Sequence, residues 1–364
     1  MELAKKQLAH IETPCMVIDV EKARQNILSM QKQADACGCA LRPHVKTHKM
    51  PFFAQMQMGA GAMGITCAKI SEAEVMAAGG LRDIFIAYPM VGDFRIRRAL
   101  ALLPKVDRLI LAVDSMACAT ALNHAAAGAG VRLEVRLEVD TGLKRTGIPR
   151  EQAAALAKAI RALPHLDLTG IYTYKSLLYR GAPTEDCGLA GQEEGRLMGD
   201  AAQAIRAQGV ALRDISAGST PTGLAVAQTG LVNEIRPGTY IFYDAMQVKA
   251  QVCTANQIAA RFYATVVSCP SDSCAVIDAG SKCFPMDQPG YPAIEGRDDL
   301  RLARMNEEHG MIVSDSGKTG LSVGERICLT PIHVCTAINM QNEVYLWEQG
   351  QLRRQKVEAR GMLV

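Results

Sequence analysis

No apolar run approaches the roughly 18 residues that a membrane-spanning helix needs, so no span is expected. Net charge is scarce as well: 40 Lys and Arg face 37 Asp and Glu, a formal balance of +3. That leaves no electrostatic footprint for nucleic acid. The opening residues, MELAKKQLAHIETP, carry neither an apolar signal core nor a cleavage-site pattern. Twelve cysteines are scattered without framework spacing, which fits a reducing cytoplasm better than a disulfide scaffold. Cys37 with Cys39, and Cys269 with Cys274, lack the second pair that would complete a tetrahedral metal set. No G-x-G-x-x-G turn directly follows the first strand of the repeating region, which weakens a dinucleotide-binding reading. Internal repeats, low-complexity tracts and long linkers are absent too.

What is there reads as a globular protein of two parts: 364 residues are too many for one small core. Short β-rich runs alternate with helical patterns from residue 40 to about 245. Strands are expected at 40–46, 62–67, 83–88, 108–114, 133–139, 166–174, 212–217 and 233–240. Apolar faces such as Leu156/Ile160/Leu163 and Leu197/Ala201/Ala204 mark helices between them. Eight strands with intervening helices are the count of a (β/α)8 barrel, although an open doubly wound sheet needs similar alternation. Beyond residue 250 strands are expected at 259–269, 274–278, 311–314, 326–330 and 343–348, joined by polar turns. The expected division is an α/β barrel over 21–248 and a β-rich domain from 1–20 plus 249–364, with 14–20 pairing in the latter. The Gly-, Pro- and Asp-rich stretch 287–299 reads as an exposed insertion.

Side chains at the C-terminal ends of barrel strands surround the active site. Lys46, in RPHVKTHKM, ends the first strand. Partial desolvation and the neighbours His44 and His48 are expected to free its amine for a Schiff base; a phosphate-binding or surface lysine is the plainer alternative. Strands seven and eight end in SAGSTPTG and EIRPGTYIFYD. Gly218, Ser219 and Thr220 with Gly238 and Thr239 make a candidate phosphate cup, unless they are simply turns. A reactive lysine facing such a cup suits pyridoxal 5′-phosphate. Arg145, in EVDTGLKRTGI, stands where it could meet the cofactor ring, and Tyr174 could pack on that ring or lie in the core. In PIHVC, read as a strand, His333 and Cys335 share one face and suit a divalent metal such as zinc. His309, in EEHG, is a further candidate for the same pocket.

Taken in order, TPCMVIDV, RPHVKTHK, ITCAKISEAEV, IAYPMVG, DTGLKRTGI, GSTPTG, EIRPGTYIFYDAMQV, DAGSKCF, EEHG and PIHVCTAIN resemble the D-threonine aldolase and D-serine dehydratase family, fold-type III pyridoxal-phosphate enzymes related to alanine racemase. The resemblance implies that Lys46 links the cofactor covalently. It places Gly218, Ser219, Thr220, Gly238 and Thr239 at the phosphate, and Arg145 and Arg236 toward the ring. Tyr174 and Tyr243 are expected among the cofactor-binding residues, and Lys46, Tyr174 and His309 among the catalytic ones. His333 and Cys335 match the divalent-metal ligands, zinc or manganese. A cytoplasmic homodimer acting on a small β-hydroxy-D-amino acid is implied, with aldol cleavage favoured over dehydration. One departure stands out: IYTYKSLLY carries Tyr174 and Leu178 where relatives have histidines; a different substrate is one reading, and Lys175 or His309 could substitute in the other. Racemisation, a non-catalytic cofactor carrier and a plain metal hydrolase are the competing readings.

Overall fold

LEVRLEVD, residues Leu133–Asp140, shows how the barrel is built. Leu133, Val135, Leu137 and Val139 occupy one face of the strand, and Glu134, Arg136 and Glu138 the other. Both faces are largely buried, as in a central parallel strand covered by helices.

The computed structural model describes residues 11–364; expectations placed on residues 1–10 lie outside the described residues. A strand β1 (Cys15–Asp19) and a helix α1 (Val20–Ala36) come first. Then follow β2 (Ala40–Leu41), β3 (Ile65–Cys67), β4 (Asp83–Pro89), β5 (Arg108–Val113), β6 (Leu133–Asp140), β7 (Leu166–Tyr172), β8 (Asp214–Ala217) and β9 (Glu234–Ile235). They form one parallel sheet in the order β2-β9-β8-β7-β6-β5-β4-β3. Met63 N donates to Leu41 O at 2.9 Å, Thr66 N to Pro43 O at 2.8 Å, and His44 bridges Thr66, so β2 meets β3 and the sheet closes on itself. Helices α2 (Pro51–Gly59), α3 (Ile70–Ala78), α4 (Asp93–Leu102), α5 (Met116–Ala129), α6 (Arg150–Arg161), α7 (Cys187–Ala207) and α8 (Gly223–Ala227) separate the strands. This is the expected (β/α)8 barrel. Residues 59–64 do spell G-x-G-x-x-G, but they close α2 and lead into β3, the reverse of a nucleotide-binding turn.

Two details of the expected pattern shift. The first strand is regular only over Ala40–Leu41, although its pairing runs on: Arg42 N and His44 N donate to the carbonyls of Ile235 and Pro237, each at 3.0 Å. On α7 the buried face runs through Met198, Ala201, Ala202 and Ile205, whereas Ala204 is exposed, so the expected stripe was out of phase.

The barrel interior is ionic where branched aliphatics are usual. Glu234 accepts from Arg42 Nε at 2.8 Å, Arg136 Nη1 at 2.5 Å and Ser216 Oγ at 2.5 Å. Arg42 Nη1 also reaches Asp83, and Arg136 Nη2 reaches Asp214 at 2.9 Å. Arg108 pairs with Glu134 at 2.6 Å. Gly64 makes room for this lattice: a Cβ there would lie 2.1 Å from Arg42 Nη1. Burial alone would raise the Glu234 carboxyl; Arg136 and Arg42 outweigh it and hold it far below the usual carboxylate range.

The chain forms two compact units, one of residues 27–46, 50–238 and 362–364 holding the barrel, the other of the described residues up to Asn26 with 47–49 and 239–361. In the second, β10 (Ala260–Ser271), β11 (Cys274–Ile277), β12 (Ala293–Ile294), β13 (Leu300–Met305), β14 (Gly310–Ser314), β15 (Arg326–Thr330), β16 (Glu343–Glu348) and β17 (Gln351–Lys356) build a sheet ordered β13-β14-β11-β10-β1-β16-β17. β1 pairs antiparallel with β10 and parallel with β16, so the opening strand belongs to this sheet as expected. β13 and β17 were not foreseen. Neither were two short helices, α9 (Ala245–Lys249) and α10 (Val334–Met340). No helix among the described residues is long and apolar enough to cross a membrane.

Glu234→Gln removes the shared acceptor and leaves two buried guanidiniums underpaired, which should cost about 3–5 kcal/mol in urea unfolding. The Glu234 carboxyl titrates below its unfolded value, so its contribution is complete above the ordinary carboxylate pKa and is lost as pH falls toward its folded one. The stability gap between parent and variant should therefore narrow in acid; a gap that widens there would contradict the assignment.

Candidate active site

β2, β9, β8, β7 and β6 are consecutive neighbours, so the residues following them share one arc of the barrel's C-terminal rim. Lys46 follows β2 on a one-turn 3-10 segment, Val45–Thr47. It is exposed, not desolvated as expected, on a turn that begins directly after the His44 bridge to Thr66. His44 does stay close: its Nδ1 accepts from Lys46 N at 3.4 Å.

Tyr174, beyond β7, is 37% exposed and lies between two cations. Lys46 Nζ stands 5.8 Å from its ring centroid and the Arg145 guanidinium 4.9 Å. The structure thus brings together the lysine, the arginine and the aromatic ring that the sequence singled out. Lys175 does not replace the missing histidines. It is buried, paired with Glu193 at 2.5 Å and bonded to the Leu178 carbonyl. Arg236 is buried too, its guanidinium donating to Ser216 Oγ and the Thr173 carbonyl.

The turn after β8 needs glycine. Gly218 has φ +83°, and a Cβ there would meet Gly223 Cα at 2.7 Å. Its N–H donates to the buried Glu194 carboxylate at 3.0 Å, Ser219 N to Thr222 Oγ1 at 3.0 Å, and Gly238 N to Thr220 Oγ1 at 3.2 Å. These three amides, expected to cradle an anion, already serve the protein. The hydroxyls of the same turn are engaged as well, Ser219 Oγ lying 3.0 Å from Thr222 Oγ1 and Thr220 Oγ1 accepting from Gly238 N. An exposed amine, a hydroxyl-bearing glycine turn and a ring flanked by cations on one arc fit pyridoxal 5′-phosphate.

In the second unit PIHVC is not a strand. His333 is the N-cap of α10 and Cys335 lies in its first turn. The two come together nonetheless, because a helix entry folds residues two apart onto one end. His333 Nδ1 is 2.5 Å from Asp287 Oδ2, whose Oδ1 accepts from Thr336 Oγ1 at 3.0 Å. Burial would lower the His333 pKa, but the hydrogen bond and charge of Cys335, with Asp287, raise it to about 9. Cys335 Sγ lies 3.2 Å from Thr47 Oγ1 and 3.6 Å from Thr239 Oγ1, so the Thr239 hydroxyl faces the thiol. Asp244 anchors the segment: Oδ2 accepts from Val334 N and Oδ1 from Gln247 N, each at 3.0 Å. Burial raises its carboxyl to about 6.

Other expected residues lie elsewhere in this unit. Tyr243 is buried at φ +49°. His48 packs edge-on against Phe242, and Lys49 Nζ donates to Ala359 O at 3.3 Å. His309 is exposed on the turn between β13 and β14. Among the described residues no three His, Cys, Asp or Glu side chains gather as a metal cage; His333 and Cys335 are a pair. Asp287 and Asp244 were missed. Asp244 was legible as an N-cap three residues ahead of Gln247, but Asp287, 46 positions from His333, had no local signal.

Comparison with known proteins agrees with this geometry. Residues 18–245 match alanine racemase, N-terminal domain, and residues 259–347 a putative serine dehydratase domain. The chain belongs to the alanine racemase N-terminal domain family. Within that family it is 31% identical to a D-threonine aldolase from Arthrobacter sp., over 94% of this chain and 91% of that protein. It is 32% identical to a D-threo-3-hydroxyaspartate dehydratase from Delftia sp. HT23, over 94% and 98%. The crystal structure of a D-threonine aldolase from Filomicrobium marinum superposes with a TM-score of 0.88 at 27% identity, covering 98% of each chain. Solved mutants of a D-threo-3-hydroxyaspartate dehydratase replace a histidine and a cysteine two positions apart, the spacing of His333 and Cys335, and the cysteine mutant is a metal-free form.

Asp244→Ala leaves the amides of Val334 and Gln247 without their acceptor. It should lower unfolding stability by at least about 1 kcal/mol, measured in urea. Asp244→Asn, which keeps one carbonyl oxygen, should lose less; an unchanged Asp244→Ala would sink the anchoring role.

Proposed function

We propose that this chain is a pyridoxal-phosphate- and divalent-metal-dependent lyase of β-hydroxy-D-amino acids, cleaving Cα–Cβ in the manner of D-threonine aldolase. The observation that carries the reading is the exposed Lys46 amine on the same rim arc as Tyr174, Arg145 and the Gly218–Thr220 turn. The relatives it resembles over more than nine-tenths of its length are aldolases and dehydratases.

Lys46 would hold the cofactor, Ser219 and Thr220 its phosphate, and Arg145 and Tyr174 its ring. Bound there, pyridoxal phosphate supplies an electron sink for negative charge at Cα. His333 and Cys335 would hold zinc or manganese, which lowers the pKa of a ligated hydroxyl. The remaining steps belong to the chain. A base removes the β-hydroxyl proton, the Cα–Cβ bond breaks to release an aldehyde, and a proton returned to Cα gives glycine. Lys46 would carry the Cα proton. Tyr174 and His309 are our choices for transfer at the hydroxyl. We further assign a homodimer in the cytoplasm, with no role for nucleic acid or membrane.

Dehydration is the second reading, favoured by the H-x-C pair that a dehydratase relative shares by spacing. There Lys46 takes the Cα proton, hydroxide leaves Cβ, and the enamine product hydrolyses to a keto acid and ammonia.

Lys46→Ala should fold normally yet lose both turnover and the visible band near roughly 420 nm that a lysine-bound cofactor gives. Glycine with acetaldehyde from D-threonine supports the aldolase, and pyruvate with ammonia from D-serine the dehydratase. A colourless parent protein after loading with the cofactor would end both readings.

A further inference from the structure

The stretch 287–299, taken from sequence as an exposed insertion, begins with a carboxylate wholly committed to α10. Asp287 Oδ2 meets His333 Nδ1 at 2.5 Å, and Oδ1 accepts from Thr336 Oγ1 at 3.0 Å. Thr336 sits one position past Cys335, and its Oγ1 lies 3.2 Å from the His333 carbonyl. Acid, histidine and threonine therefore close a brace around the first turn of the helix.

An imidazole has two ring nitrogens, and either can ligate a metal. Which one does so is decided by what the other nitrogen bonds. A carboxylate on Nδ1 keeps the proton there, leaves the lone pair on Nε2, stops the ring from flipping and makes Nε2 a stronger donor. Thr336 in turn stops the carboxylate from swinging away. Val334 N, held by Asp244, sets the backbone independently of this brace.

We propose that Asp287, tethered by Thr336, is the positioning residue of the metal site, presenting His333 through Nε2. The proposal rests on the reading that His333 and Cys335 bind a divalent cation. It adds a residue outside PIHVC and commits to one ring nitrogen.

The test uses the full chain loaded with pyridoxal phosphate, titrated with zinc against a chromophoric chelator. Asp287→Ala should weaken zinc binding about 10–100-fold. Asp287→Asn, whose amide oxygen still accepts from Nδ1–H, should recover most of that loss. Equal losses in the two variants would make the residue's charge or packing responsible and overturn the hydrogen-bonding role. Nitrogen-15 histidine spectra of the zinc-loaded parent protein need no variant to fold beyond His333→Ala for assignment. They should show a protonated Nδ1 and a ligated Nε2; a ligated Nδ1 overturns the proposal. His333→Ala and Cys335→Ala are the controls. Parental zinc affinity in both would remove the cation reading itself. Loss in both with parental affinity in Asp287→Ala would leave that reading standing and overturn Asp287 alone.

Discussion

Glu234 is the acceptor that two buried guanidiniums share, and the shape of the rim depends on it. Arg42 and Arg136 come from opposite sides of the barrel lumen, each has a carboxylate of its own in Asp83 or Asp214, and Glu234 is the one they share. The same carboxylate receives Ser216 Oγ, which accepts from Arg236, which donates to the carbonyl of Thr173. Thr173 precedes Tyr174, so an unbroken polar chain runs from the centre of the barrel to the ring flanked by Lys46 and Arg145. A lumen filled with aliphatic side chains would pack as densely, but it would not dictate one orientation for each neighbour. Hydrogen-bonded charges do.

That constraint explains why much of the fold was legible and part of the site was not. Strand count and order follow from alternation, which is local: Leu133 to Val139 declare their two faces within seven residues. Where pairing ends is decided by other things. After His44 the first strand gives way to a one-turn 3-10 segment, which carries Lys46 on an exposed turn. The PIHVC segment has period-two spacing of its polar residues, so it read as a strand. Asp244 capping Val334 N, from 90 positions away, makes it a helix entry instead. Ten ordered motifs still identified the family, because resemblance does not need the secondary structure to be right.

The glycine turn after β8 teaches the same lesson about amides. Small residues were read as an opening for an anion, and Gly218 does adopt a conformation that other residues resist. Yet a carboxylate, Glu194, occupies its N–H from below. Burial raises the pKa of that carboxyl, against the hydrogen bonds from Gly218 N and Thr222 Oγ1, which lower it. The amides that small residues were read to expose are spent inside the protein, which spacing alone does not reveal.

The choice between carbon–carbon cleavage and dehydration turns on where the first proton leaves. Both routes use the same amine and the same cation, so neither discriminates. A group that reaches the hydroxyl favours cleavage; a group that reaches Cα favours elimination. Lys175 is removed from the contest because Glu193 and the Leu178 carbonyl hold its ammonium in a buried pair. Of the polar groups on the IYTYKSLLY segment, the Tyr174 phenol keeps an exposed place beside Lys46. Of the two positions where histidines were expected, 174 holds a phenol and 178 a leucine, so of that pair the phenol alone has a proton to exchange.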